Sequence, residues 1–153
     1  MAEVLVVYLH YMAMIAIALC LAFEYLLCAP GLSQARIVLL LRVDLLYLGA
    51  AVVVLATGLA RLAWFGKGVS FYLHNPVFYI KLALFVAVAL ISLPPTLQFL
   101  RWGRALRAGT GSVMADYQAV RLRRHVLAEI ALFLLIPLMA VLMARGIGSQ
   151  ATG

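Results

Sequence analysis

Four apolar runs dominate this chain, each near the ~20 residues an α-helix needs to cross a bilayer. The first is Val4 to Ala22. The core of the second is Leu45 to Ala60, extending to Phe65. The third runs from Val77 to about Leu100, interrupted by Lys81 and by Pro94-Pro95. The fourth runs from about Val126 to Ala144, with Glu129 near its start and Pro137 inside. In 153 residues these runs leave no room for a separate soluble domain. The chain is 67% hydrophobic and only 11% charged, against about 45–50% and 25% in soluble domains. Too little polar surface remains to cover a soluble globule, and disorder needs the opposite balance. The expected fold is all-α, an integral membrane four-helix bundle. It forms a single transmembrane domain over residues 1–153, with helices at about 4–28, 34–65, 76–101 and 117–146 and a flexible tail at 147–153.

The breaks between runs have local causes. Pro30 and Gly31 end the first helix, and Ser33 is suited to cap a second that starts at Gln34. Gly66 and Gly68 break the chain after Phe65. Asn75-Pro76 reads as the cap and first residue of the third helix. Gly109 to Gly111 break the last connection. The first run carries Glu3 rather than a basic leader and exceeds a usual signal core, so it reads as a retained helix.

The 12 Lys+Arg outnumber the 5 Asp+Glu. In a soluble protein that excess would raise nucleic-acid binding; in a membrane protein it reports topology, and no nucleic-acid partner is expected. With four spans, both termini share a side with Arg61, Lys67, Lys81 and Arg145. The other side holds Arg36, Arg42, Arg101, Arg104, Arg107, Arg121, Arg123 and Arg124. Basic residues collect on the cytoplasmic side, so both termini are expected in the periplasm of a bacterial inner membrane. Trp64, Phe65, Phe71 and Tyr72 would then form an outer aromatic belt, and Trp102 an inner one.

An ionisable residue deep in a span costs roughly 2.5–3.5 kcal/mol on insertion scales, which makes each one a functional candidate. On the first helix His10, Met14, Ile17, Leu21 and Glu24 form one stripe, its polar ends within roughly 40° of each other and about 21 Å apart. That stripe should line the bundle interior. His10, His74 and Lys81 fall in the outer half. Each has a plainer alternative: a core histidine bonded to a neighbour, an interfacial loop histidine, and a lysine that snorkels to the surface. Two histidines from different helices of a bundle can hold a b-type haem axially, and a lysine can serve its propionates or its iron. Glu24, Asp44, His125 and Glu129 fall in the inner half. They read either as an interfacial salt-bridge layer, with His125 and Glu129 one turn apart, or as a proton or quinone side.

Cys20 and Cys28 lie about 12 Å apart along one helix, beyond the ~7 Å reach of a disulfide. No CxxCH is present, which excludes a covalently attached haem, and nucleotide-loop, HExxH and GxSxG motifs are absent. Met12 and Met14 beside His10 leave a copper site open, with His74 as a further ligand, although methionine on an apolar helix is usually filler.

The run FGKGVSFYLHNPVFYIKLALF (Phe65 to Phe85), the following SLPPTLQFLRW (Ser92 to Trp102) and the preceding DLLYLGAAVVVLATGLARL (Asp44 to Leu62) resemble an uncharacterised bacterial family of small four-helix predicted inner-membrane proteins. The chain is also similar to HemJ-type protoporphyrinogen oxidases, short four-helix proteins with a histidine early in the first helix and a lysine early in the third. His10 and Lys81-Leu82-Ala83-Leu84 match those positions. The pattern departs where that family has a histidine just before the lysine: Tyr79 and Ile80 stand here, and His74 is two turns earlier.

The resemblance implies haem b and a porphyrinogen- or quinone-linked redox reaction. The expected function is therefore a haem b-binding redox protein, with His10 and His74 on the iron and Lys81 as alternate ligand or propionate partner. The alternatives are a cofactor-free accessory or assembly subunit of a larger membrane complex, a homo-oligomer included, and a copper-handling membrane protein.

Overall fold

The computed structural model describes residues 1–65, 69–109 and 116–147, apart from the side chains of Phe71 and Asp116. Gly66, Lys67, Gly68 and Gly111, the Phe71 ring of the aromatic belt and the tail from 148 lie outside the described residues. Five α-helices follow: α1 (Ala2–Leu27), α2 (Gln34–Ala60), α3 (Val69–Leu73), α4 (Pro76–Arg107) and α5 (Asp116–Ala144). Among the described residues four helices are long and apolar enough to cross a membrane. Only 17–28% of each one's most apolar stretch is buried inside the bundle. The remaining apolar surface has no protein to cover it and faces lipid. The protein is a multi-pass, four-helix membrane bundle.

The helix ends follow the sequence cues. Ser33 Oγ accepts from the Arg36 amide at 3.3 Å, and Asn75 Oδ1 accepts from the Val77 amide at 2.9 Å with Pro76 at the first helical position. Gly31 and Gly109, beyond α1 and α4, take φ of 72° and 66°, which a side chain disfavours. α4 runs unbroken through Pro94 and Pro95. Ser92 Oγ donates to the Ala89 carbonyl at 2.8 Å just before them. Two features were not anticipated: the short α3, and a widened π turn, Arg61–Phe65, that ends α2.

α1 packs along α2, and α4 along α5. The two hairpins meet through α2 with α4 and α1 with α5, which leaves α1 and α4 diagonal to one another. The end of the bundle that carries the starts of α1 and α4 and the finish of α5 is called the terminal end below; the other is the distal end. The distal core packs Cys28, Ile37, Leu40, Phe99, Trp102 and Leu122. Trp102 is thus a core residue, 5% exposed, and not the inner aromatic belt. Its ring packs at 5.9 Å from that of Phe99. Both cysteines are buried free thiols.

Candidate functional site

The α1 stripe faces inward as its spacing requires. His10, Ile17, Leu21 and Glu24 are buried and Met14 is half-buried. His10 is 6% exposed, and its Nδ1 lies 2.8 Å from Oγ1 of Thr57 on α2. The Thr57 hydroxyl also reaches the Val53 carbonyl at 2.5 Å and the Val54 carbonyl at 3.2 Å. A hydroxyl has one hydrogen and two lone pairs. The short bond to Val53 takes that hydrogen, so Thr57 meets the imidazole as an acceptor. His10 therefore donates from Nδ1–H, and the lone pair of the neutral ring sits on Nε2. A partner on one ring nitrogen fixes the orientation of the imidazole, as partners of metal-binding histidines do. Gly58 makes room beside the ring, since a Cβ there would lie 3.6 Å from Cε1.

His10 opens onto a cavity of about 610 Å³ at the terminal end, bordered also by Glu3, Tyr11, Arg61, Tyr72 and Lys81. Arg61 belongs to the π turn; such turns change helical register and recur at functional sites. A narrower apolar lobe of about 170 Å³ continues toward the distal end and reaches Tyr47. His10 and Lys81 border both lobes. Because α1 and α4 are diagonal, these two side chains approach the cavity from opposite walls. Lys81 is half-buried and turned inward rather than lying wholly at the surface.

His74 does not border this cavity. It is exposed, and its Nδ1 lies 2.8 Å from the Ser70 carbonyl one turn back on α3. His10, Met14 and His74 are therefore not gathered at one place. Among the described residues no three His, Cys, Asp or Glu side chains are grouped to hold a metal ion.

The distal polar residues divide. Glu24, Asp44 and Glu129 are 2%, 4% and 1% exposed and come from three different helices. Tyr47 donates to Glu129 Oε1 at 3.2 Å, and Thr96 donates to Asp44 Oδ1 at 2.7 Å. Glu24 Oε1 is buried with no hydrogen-bond partner. His125 is half-buried, one turn from Glu129, whose partner is Tyr47 instead. Arg123 stacks over the Tyr25 ring at 4.2 Å, while Arg36, Arg42, Arg101, Arg104, Arg107, Arg121 and Arg124 are exposed.

Sequence reasoning missed Thr57, Arg61 and Tyr47. Thr57-Gly58 was visible as a polar-small break in the apolar run LATGLA, and its level on α2 matches that of His10 on α1. Arg61 follows Thr57 by four residues and Gly58 by three, so helical spacing alone already put it on their face.

No curated protein and no solved structure matches the chain, so the likeness to HemJ-type enzymes rests on the His10 and Lys81 positions alone. Its four apolar spans, among the described residues, fit what the family comparison returns. Residues 2–148 match the model of a family described as predicted membrane protein (DUF2214), and the chain belongs to that family.

Proposed function

We propose that this protein binds haem b in the cavity at the terminal end, where His10 would hold the group through its imidazole. The observation that supports the reading is the buried His10–Thr57 bond, which anchors an imidazole on the border of a cavity that Arg61 and Lys81 also border. The volume lies within the 300–1,000 Å³ typical of small-molecule and cofactor sites. The residues present fit the group: an apolar lining for the ring, an imidazole for the iron, and Arg61 for the propionates. Lys81 rather than His74 would be the second residue to hold the group, because it borders the cavity from the opposite wall and His74 does not border it. Bound there, haem supplies one-electron transfer between a small reductant, a porphyrinogen being the specific version, and a quinone. His10 and Lys81 orient the group, the apolar wall excludes water, and Arg61 holds the anionic edge. The basic excess at the distal end supports an inner-membrane location with periplasmic termini.

The test is a reduced-minus-oxidised spectrum of protein purified from haem-sufficient cells. Haem bands are expected in the wild type, in His74→Ala and in His125→Ala. They should be lost in His10→Ala and shifted in Lys81→Met. Colourless wild-type protein that co-purifies with a larger complex would favour the cofactor-free subunit, and bound copper the metal-handling reading.

A further inference from the structure

α2 and α4 run antiparallel and are closed against each other at the distal end. Thr96 bonds Asp44 at 2.7 Å, and Gly103 lies so close to Leu41 that a Cβ there would collide with its side chain. Extending the Asp44–Thr96 level toward the terminal end brings Ala51 level with Ala89, then Leu55 with Phe85, then Leu59 with Lys81. All six border the narrow lobe. There the two helices stand apart with the lobe between them. Its border residues from α1 and α5 are buried or half-buried, whereas Leu55 and Leu59 on α2 and Leu82 and Ala89 on α4 are exposed. The lobe is therefore continuous with the lipid-facing surface along the α2–α4 seam.

We propose that the cavity is loaded sideways from the bilayer through this seam, by an amphiphile dissolved in lipid. Its apolar body passes between the leucines and its anionic edge stops at Lys81 and Arg61. An anionic edge follows from those two cations, which Glu3 on the same border offsets only in part. A lipid source follows from the walls, because the exposed residues of the seam are Leu and Ala. The inference rests on the proposed function only for the choice of haem as a probe.

Two measurements test it. Protein produced under haem limitation is placed in lipid nanodiscs and given haem from phosphatidylcholine vesicles, and uptake is followed by absorbance. Ala89→Trp, which obstructs the seam, is expected to slow uptake by about tenfold or more without lowering the end point. Val141→Trp, at an exposed position bordering the wide lobe, should leave the rate unchanged. Slowing by Val141→Trp and not by Ala89→Trp overturns the proposal in favour of an aqueous entrance. The second measurement needs no haem. Ala51→Trp fluorescence should be quenched by lipids brominated along the acyl chain, beyond the quenching of native Trp64 and Trp102. Absence of that added quenching overturns lipid access whatever haem does. Added quenching in a protein that takes up no haem supports the seam and sinks the haem reading alone.

Discussion

Replacing Thr57 by Val tests the reasoning about His10 at its narrowest point. The substitution keeps the shape of the side chain and removes the hydroxyl oxygen that lies against Nδ1 as its hydrogen-bond partner. That bond is 2.8 Å long, and its partners are 6% and 8% exposed, so solvent is poorly placed to replace it. Leaving a buried donor unmet costs about 1–3 kcal/mol, roughly 5- to 150-fold in an equilibrium constant. Removing a group that orients a metal-binding histidine lowers metal affinity about 10- to 100-fold, the same range. Thr57→Val should therefore weaken haem retention by about 10- to 100-fold, while Thr57→Ser, which keeps the hydroxyl, stays near wild type. Haem titration of the purified variants reads the affinity. Nitrogen NMR of ring-labelled histidine in the haem-free protein reads the tautomer directly, with Nδ1 protonated in wild type and a mixture in Thr57→Val. Wild-type affinity together with an unchanged tautomer in Thr57→Val would refute the assignment. Equal loss in the Val and Ser variants would mean that methyl packing, and not the hydroxyl, positions the ring.

Other substitutions probe the scaffold. Glu129→Gln keeps an acceptor for the Tyr47 hydroxyl and should leave detergent melting nearly unchanged, whereas Glu129→Leu strands that hydroxyl and should cost about 0.6–1.7 kcal/mol, the range measured for bonds between membrane helices. Gly103→Val overfills the contact with Leu41 and should cost about 1–3 kcal/mol in melting assays, with part recovered by adding Leu41→Ala. Asn75→Ala removes a buried helix cap and should cost about 1 kcal/mol, more than Ser33→Ala, whose capping bond is exposed and longer. Equal effects at the two caps would show that burial of the capping bond is irrelevant.

How far the sequence carries depends on whether the information is local. The inward stripe of α1 is set by helical spacing alone, so His10, Ile17, Leu21 and Glu24 were legible as one face. The caps at Ser33 and Asn75 are likewise decided within three residues. The choice between His74 and Lys81 was not local. It depends on which helices are diagonal and on α3, which ties His74 to the Ser70 carbonyl. Trp102 misled for a related reason: an aromatic near a basic helix end usually marks the interface, but here the helix continues to Arg107 and puts the indole under the distal core.

The two ends of the bundle divide the work of cohesion and binding. Within lipid, apolar contact alone gives helices little reason to prefer one another over acyl chains; packing and hydrogen bonds decide. Both interhelical side-chain bonds given above for the distal half, Tyr47 to Glu129 and Thr96 to Asp44, join the hairpins, α2 to α5 and α2 to α4. Gly103 against Leu41 adds a close backbone approach on the same seam. At the terminal end the His10–Thr57 bond joins α1 to α2, a pair already joined as a hairpin, so it does nothing to draw α2 and α4 together. The two hairpins are thus fastened at one end and separated at the other, and the separation is the cavity. Two of the three buried carboxylates, Asp44 and Glu129, take part in those fastening bonds, whereas His10, Arg61 and Lys81 border the cavity. Weakening the distal bonds should therefore disturb the cavity from a distance, through the angle between hairpins, and Asp44→Leu should loosen haem retention although Asp44 does not border the site.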